Sequence, residues 1–166
     1  MKKIILSLII ISALISCKTY SFTGGDIGNA KTIQIDFFPN QAPLVEPNLS
    51  QRFTNDLLKL FINQTRLTQS NSNGDLYFSG EITNYRITPI SGTANQIAAQ
   101  NRLTITINVR FTNKLENKKS FEKAFSYYSD FAANSQLTDN ILDNALDEIL
   151  ERITQDIFNR SIANNF

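Results

Sequence analysis

The sequence predicts an α+β fold of two layers, with two helices packed on one face of a mainly antiparallel, roughly four-stranded sheet. The clearest observation is the run Leu103–Phe111, where five apolar residues alternate with polar ones, as in a strand with one buried face. Two longer segments carry apolar residues at helical spacing instead. The patterns follow the order β-α-β-β-β-α, and helices on one face of the sheet would bury every apolar stripe.

The first strand and the first helix are separated by a proline-rich loop. In KTIQIDFFPN, apolar residues alternate with polar ones at Ile33, Ile35 and Phe37. Pro39 ends this pattern. In NLSQRFTNDLLKLFINQT, an apolar stripe at helical spacing is formed by Leu49, Phe53, Leu57, Leu60 and Phe61. Asn48 is a candidate cap with Gln51 three residues later, as in a capping box, and Pro47 in the first turn is the alternative start.

Three further strands follow this helix. In DLYFSGEITNYRITPI, one phase of alternation holds Leu76, Phe78 and Ile82, and the other holds Tyr85 and Ile87. A bulge near Thr83–Asn84 would explain the change. After a loop reaching about Gln100, RLTITINVRF and SFEKAFSYYSDF form a hairpin around NKLENKK. The second of these strands has an apolar face at Phe121, Phe125 and Tyr127. The first has a polar face of Thr104, Thr106, Asn108 and Arg110, which would meet water or a partner.

A long amphipathic helix, from about Thr138 to Ala163, ends the domain. Its apolar stripe consists of Leu142, Ala145, Leu146, Ile149, Ile153 and Ile157. Thr138 is a candidate cap, and Asp139 and Asp143 lie where a helix N-terminus favours negative charge. The sequence shows no internal repeat and no second domain.

The N-terminus has the features of a lipoprotein leader. A basic start is followed by the apolar run Ile4–Ile15, which is too short to span a bilayer and resembles a signal-peptide core. Leu14-Ile15-Ser16-Cys17 resembles the bacterial lipobox, which implies cleavage before Cys17, the chain's single cysteine, and lipid on that residue. The alternative is an ordinary secretory signal with an incidental cysteine. The predicted parts are a signal peptide (1–16), a lipidated cysteine with a tether (17–30) and one domain (31–166).

The composition argues against several function classes. Without Lys2 and Lys3 of the leader, 14 basic residues stand against 15 acidic ones, so we predict no nucleic-acid partner. The chain has no histidine and no thiol besides Cys17, so we predict no metal site and no cofactor. Asp143 and Asp147 lie one helical turn apart beside an apolar stripe, where a solvated face is expected rather than a catalytic pair.

Five phrases of the sequence together resemble a known family. They are the lipobox followed by YSFTG, then FFPNQAPLVEPNLSQRFTNDL, GDLYFSGEITNY, NRLTITINVRFTNK and ILERITQDIFN, and they cover about Cys17–Asn164. In this order they resemble the LptE family of lipopolysaccharide-assembly lipoproteins. The resemblance implies helices on one face of a small sheet and an outer-membrane location facing the periplasm. It also implies a protein that plugs an LptD-type barrel, helps it to assemble and helps move lipopolysaccharide to the outer leaflet.

The resemblance further implies contact with lipopolysaccharide, whose phosphates suit guanidinium and ammonium groups. Charge clustering selects as candidates Arg102 and Arg110 at the ends of the polar face, and Lys114, Lys118 and Lys119 at the hairpin tip. A solvated loop kept soluble by its lysines is the alternative for the tip. Two other functions stay open. One is a periplasmic chaperone or pilotin for a different barrel or secretin, and the other is a lipid-anchored enzyme with a site near Asp75 or Glu81.

Overall fold

The computed structural model describes residues 27–44, 46–90, 99–133 and 139–162. The strands are β1 (Thr32–Ile35), β2 (Thr68–Gln69), β3 (Leu76–Ile90), β4 (Gln100–Asn113) and β5 (Phe121–Ala132). The helices are α1 (Leu49–Gln64) and α2 (Asp139–Ile162), and a short 3₁₀ turn covers Asn117–Lys119. Both helices pack on one face of the sheet, which confirms the predicted α+β class. Cys17, most of the loop before β4 and the candidate cap Thr138 lie outside the described residues.

The sheet is mixed, with five strands in the order β2-β1-β3-β4-β5. β3, β4 and β5 are antiparallel as predicted, whereas β1 is parallel to both β2 and β3. The parallel β1–β3 pair follows from α1, because parallel neighbours need a crossover connection of this kind. β2 has only two residues, both exposed, and therefore shows no pattern in the sequence. It is held through its neighbours, since Thr68 N–H donates to Lys31 O (2.9 Å) and Ser70 N–H to Ile33 O (2.8 Å).

The predicted bulge is present in β3. The β3–β4 register pairs Ile82 with Ile107 and then Asn84 with Thr106, so Thr83 is the extra residue. The insertion exchanges the two faces of the strand beyond it. Tyr85 consequently lies on the buried side, together with the apolar residues that precede the bulge.

The two helices bring their apolar stripes to the same core. In α1 the buried members of the predicted stripe are Leu49, Phe53, Leu57 and Phe61, with Leu60 partly buried. In α2 the buried apolar residues are Ala145, Leu146, Ile149, Leu150, Ile153, Ile157, Phe158 and Ile162, with Leu142 partly buried. Phe61 joins the layers, because its ring centroid lies 5.0 Å from that of Phe78 in the sheet and 5.0 Å from that of Phe158 in α2.

The end of β1 differs from the prediction. Phe37 is 56% exposed, and Phe38 is fully buried in its place. The Phe38 ring packs edge-on against Phe53, with centroids 5.0 Å apart. It also lies over Gly80, where a Cβ atom would come within 2.6 Å of Phe38 Cε1. The alternation predicted the wrong phenylalanine because it continues to Phe37, whereas β1 ends at Ile35.

The predicted capping box is absent at the start of α1. Asn48 makes no side-chain cap hydrogen bond, and Gln51 Nε2 donates instead to Asn55 Oδ1 (2.9 Å). Asn48 already has near-helical dihedrals, φ −95° and ψ −3°, whereas a capping residue normally has extended ones. The chain enters the helix through a turn in which Leu49 N–H donates to Glu46 O (3.2 Å).

Candidate functional site

The sheet face opposite the helices is polar, and we call it the open face. It arises because each strand places alternate residues away from the core. Its members include Gln34, Asp36, Tyr77, Ser79, Glu81, Asn84, Arg86, Thr88, Arg102, Thr104, Thr106, Asn108, Arg110, Thr112, Glu122, Ser126, Tyr128 and Asp130. The polar residues predicted for β4 are all among them, so the sequence identified this face correctly.

Arg110, one of the predicted contact residues, lies in a charged cluster that spans three strands. Its Nη2 donates to Glu81 Oε2 (2.9 Å), and its Nη1 lies 3.8 Å from Glu122 Oε1. Asn108 Nδ2 donates to both carboxylates, at 3.0 Å to Glu81 and 3.2 Å to Glu122. The hydrogen bonds from Asn108 and Arg110 hold the pKa of Glu81 below its ordinary value of 4.5. The guanidinium group of Arg110 is therefore engaged within the protein.

The lowered pKa of Glu81 predicts a loss of stability in acid. A carboxylate with a depressed folded-state pKa stabilises the fold fully above its unfolded value, and this contribution is lost as the pH falls through the folded value. We expect Glu81→Gln to be less stable than the natural protein at pH 7, with the gap closing below about pH 4.5. Urea unfolding between pH 7 and pH 3 measures this gap. A gap that stays constant, or that resembles that of the exposed control Glu151→Gln, would contradict the assignment.

Arg102, the second predicted arginine, is also engaged. It donates through Nε and Nη2 to the two oxygens of Asp130, at 2.7 and 2.8 Å. Its Cζ lies 3.5 Å from the centre of the Tyr128 ring, in cation–π geometry. Between the two arginine clusters, Thr106 and Ser126 share a hydrogen bond of 2.9 Å. Three separate groups of cross-strand polar contacts thus lie along the open face of β4 and its neighbours.

The side chains that pair with one another on this face were not predicted from the sequence. Besides Glu81 and Asp130, these include Tyr77, whose hydroxyl donates to Asp36 Oδ2 (2.5 Å), and Gln34, whose Nε2 donates to Asp36 Oδ1 (2.9 Å). Glu122 and Asp130 of β5 lie directly opposite Arg110 and Arg102 of β4, whereas Glu81 of β3 lies opposite Asn108 and reaches Arg110 diagonally. That arrangement depends on strand register, which the alternation alone does not give.

The β4–β5 hairpin tip, residues 114–120, presents the three predicted lysines. Asn113 shapes the turn, because its buried Oδ1 accepts the N–H groups of Leu115 (3.0 Å) and Glu116 (2.8 Å). Lys114 Nζ donates to Asn73 Oδ1 (2.8 Å), and Lys119 Nζ lies 2.9 Å from Glu116 Oε1. Within the described part of the chain, the side chain of the exposed Lys118 makes no hydrogen bond or ion pair.

The five candidate residues therefore do not form one cluster. Arg102 and Arg110 are eight residues apart on β4, which corresponds to about 27 Å of strand. Only the lysines are brought together, at the end of the hairpin near Arg110. The structure groups the candidates into two ion-paired arginines on the open face and three lysines at the tip.

The other carboxylates singled out in the sequence have structural partners. Asp143 and Asp147 of α2 both bind Arg52 of α1, and so link the two helices. Asp75 Oδ2 accepts hydrogen bonds from the backbone N–H groups of Lys31 (2.9 Å) and Thr32 (3.0 Å) at the start of β1.

Among the described residues, no group of three or more potential ligands could hold a metal ion. No helix in the same part of the chain is long and apolar enough to cross a membrane.

Solved structures share this fold at low sequence identity. The hypothetical protein CT253 from Chlamydia trachomatis is 10% identical, with a TM-score of 0.53, over 81% of this chain and 99% of that one. Protein XCC0632 from Xanthomonas campestris is 7% identical, with a TM-score of 0.54, over 82% and 86%. The PelC dodecamer from Paraburkholderia phytofirmans is 8% identical, with a TM-score of 0.51, over 85% and 94%. At these identities the likeness concerns the fold alone.

The sequence comparison reaches further than the fold. No curated protein sequence matches the chain. The family model LptE, described as lipopolysaccharide-assembly, matches residues 30–161, a range that includes all five strands, α1, the hairpin tip and α2 up to Ser161. Because this match covers most of the 166 residues, the chain belongs to the LptE family of lipopolysaccharide-assembly proteins.

Proposed function

We propose that this protein is an outer-membrane lipoprotein that plugs an LptD-type barrel, helps it to assemble and helps deliver lipopolysaccharide to the outer leaflet. The observation that carries the proposal is the family match over residues 30–161. The family is one of non-enzymatic lipoproteins. The partners found for Asp75, Glu81 and the α2 carboxylates fit such a role, since each is engaged in holding the fold together.

The anchor in this proposal is lipid on Cys17, attached after removal of residues 1–16. Two or three acyl chains hold a protein on a membrane without a spanning helix, because each buried methylene contributes about 0.8 kcal/mol. Intact-mass analysis of the protein from native membranes tests this directly. We expect a chain that starts at Cys17 and carries acyl mass, and we expect Cys17→Ser to leave the outer-membrane fraction. A mature chain with a free Cys17 thiol would refute the anchor.

The open face is the surface that we propose for the barrel lumen. Lumens of large barrels are polar and water-filled, and this face presents hydroxyls, amides and paired charges rather than apolar side chains. A photo-crosslinking residue at Ser126, exposed on this face, tests the contact in cells. The matched control is Gln51, exposed on α1. We expect a crosslink from position 126 to a translocon barrel and none from position 51. Crosslinks to a secretin or another barrel would support the chaperone or pilotin function instead.

For lipopolysaccharide itself, we propose contact through the hairpin tip rather than through Arg102 and Arg110. Those two guanidinium groups already bind carboxylates, whereas among the described lysines of the tip only Lys119 forms an ion pair, so the ammonium groups of Lys114 and Lys118 can meet phosphate. We expect Lys114→Glu with Lys118→Glu to weaken lipopolysaccharide binding at least about tenfold, because each reversal changes an ion-pairing energy by roughly 1 kcal/mol or more.

The melting temperature of this double variant should stay close to that of the natural protein, since both lysines are exposed. Lys59→Glu, a reversal on the exposed side of α1, is the control and should leave binding unchanged. Lys119 is kept, because reversing it would place a carboxylate beside Glu116. Unchanged binding in the double variant would remove the tip from the contact surface.

A further inference from the structure

The described chain begins beside the hairpin tip. A Cβ atom on Gly28 would lie 3.0 Å from Glu116 Oε1, so the entering backbone passes directly against the tip. Lys114 N–H donates to Asp75 O (2.9 Å), which ties the tip to the start of β3. Because β1, β2 and β3 run parallel, all three begin at this end of the sheet. We call this end the anchored pole, and we define it as residues 27–31, 73–75 and 114–120 with two arginines. Arg66 lies two residues before β2, and Arg160 Cζ lies 5.7 Å from the centre of the Phe121 ring at the start of β5.

The anchored pole is within reach of the bilayer that would hold Cys17. Ile27 is ten residues after Cys17, and an extended chain covers at most about 3.6 Å per residue, or about 36 Å in total. Ile27 therefore lies within about 36 Å of the lipid attachment point, and the next residue, Gly28, is in contact with the tip. Any orientation that brings the start of β1 toward the membrane also brings the tip toward it.

The chemistry of this pole suits an anionic lipid surface. Its basic residues are Lys31, Arg66, Lys114, Lys118, Lys119 and Arg160, and its acidic residues are Asp75 and Glu116. Leu115, in the hairpin tip, is 51% exposed. Lys114 directly precedes it, and Lys118 follows it by three residues. An exposed apolar side chain between lysines can enter the headgroup region while the ammonium groups meet lipid phosphates.

We propose that the hairpin tip docks on the anionic phospholipid surface of the leaflet that holds the Cys17 lipid, with Leu115 inserted among the headgroups. The proposal rests on the lipid anchor of the proposed function, and it adds a second contact that fixes the domain's orientation. It needs no lipopolysaccharide, although lipopolysaccharide reaching the tip would compete for the same ammonium groups.

The full-length lipoprotein allows a direct depth measurement, because its only cysteine is Cys17. Leu115→Cys then provides a unique free thiol for an environment-sensitive fluorophore, in vesicles that contain quencher-labelled phospholipid. The matched control is Leu44→Cys, since Leu44 is 55% exposed and lies in the loop before α1. Vesicles of phosphatidylethanolamine with phosphatidylglycerol are compared with vesicles of phosphatidylcholine alone, and with anionic vesicles that also contain lipopolysaccharide.

We expect strong quenching at position 115 in anionic vesicles and little at position 44. Adding Lys114→Glu and Lys118→Glu should lower the docked-to-undocked ratio at least about tenfold, as should phosphatidylcholine or high salt. Equal quenching at both positions, or quenching at position 115 that is indifferent to lipid charge, would overturn the docking. Quenching that appears only with lipopolysaccharide would overturn it too, and would leave the tip as a lipopolysaccharide contact.

The unsubstituted protein separates failure of the anchor from failure of the docking. If Cys17 carries lipid, this protein floats with vesicles of either composition and takes up no thiol label. A protein that takes up label at Cys17 and does not float would refute the anchor, and the docking with it. A protein that floats unlabelled while position 115 stays unquenched would refute the docking alone.

Discussion

Replacing Phe38 by alanine should lower the free energy of unfolding by about 3–5 kcal/mol, the usual cost of removing a fully buried phenylalanine. Phe38 is 0% exposed, packs edge-on against Phe53 of α1 and lies over Gly80 in β3. The substitution would leave a cavity between the helix layer and the sheet. Chemical unfolding in urea measures the loss.

The neighbouring residue provides a matched control. Phe37 has the same side chain and belongs to the same loop, but it is 56% exposed. We expect Phe37→Ala to change the free energy of unfolding by less than about 1 kcal/mol. Simple alternation from Ile33 predicts that Phe37 is buried, whereas the structure buries Phe38. The comparison of the two variants therefore shows which phenylalanine lies in the core. A larger loss for Phe37→Ala than for Phe38→Ala would show that the structure has the wrong phenylalanine in the core.

The second large effect is expected at Gly80. A Cβ atom there would lie 2.0 Å from Asn108 O in β4 and 2.6 Å from Phe38 Cε1. The first of these atoms belongs to the backbone of the paired strand, so the alanine methyl group can be accommodated only if β3 and β4 separate. We expect Gly80→Ala to cost about 3 kcal/mol or more, at the upper end of what overpacking produces.

A control on the same strand distinguishes this clash from a general effect on β3. Thr88→Ala lies near the far end of the strand, on the open face, and should cost less than about 1 kcal/mol. Unfolding in urea is the measurement for both variants. A loss below about 1 kcal/mol for Gly80→Ala would mean that the close approach of β3 to β4 is relieved in solution.

The sequence patterns predicted a helix or strand well where its apolar residues recur at the spacing of a helix or of a strand. The helical stripes in α1 and α2, the alternation in β4 and the phase change at Thr83 all depend on neighbours along the chain. Phe38 could not be found in this way, because its burial depends on the hollow above Gly80, more than 40 residues later. The parallel pairing of β1 and the two-residue β2 likewise depend on how α1 returns the chain.

The candidate site was predictable in charge but not in pairing. The lysines of the tip stand together in the sequence, and the structure keeps them together. Arg102 and Arg110 have the same formal charge as the lysines, yet cross-strand register places each beside a carboxylate. Asp130 and Glu81 are 28 and 29 residues from these arginines, a separation that alternation within one strand does not reveal. Local charge therefore overestimates the cations available to a ligand.

Copurification tests the central claim most directly. The tagged, full-length lipoprotein is extracted from native outer membranes in mild detergent, and the proteins that accompany it are identified and quantified. The plug function predicts a stoichiometric barrel of the lipopolysaccharide translocon. A secretin or a different barrel in its place would contradict the plug and support the chaperone or pilotin function, and the absence of any barrel would contradict both.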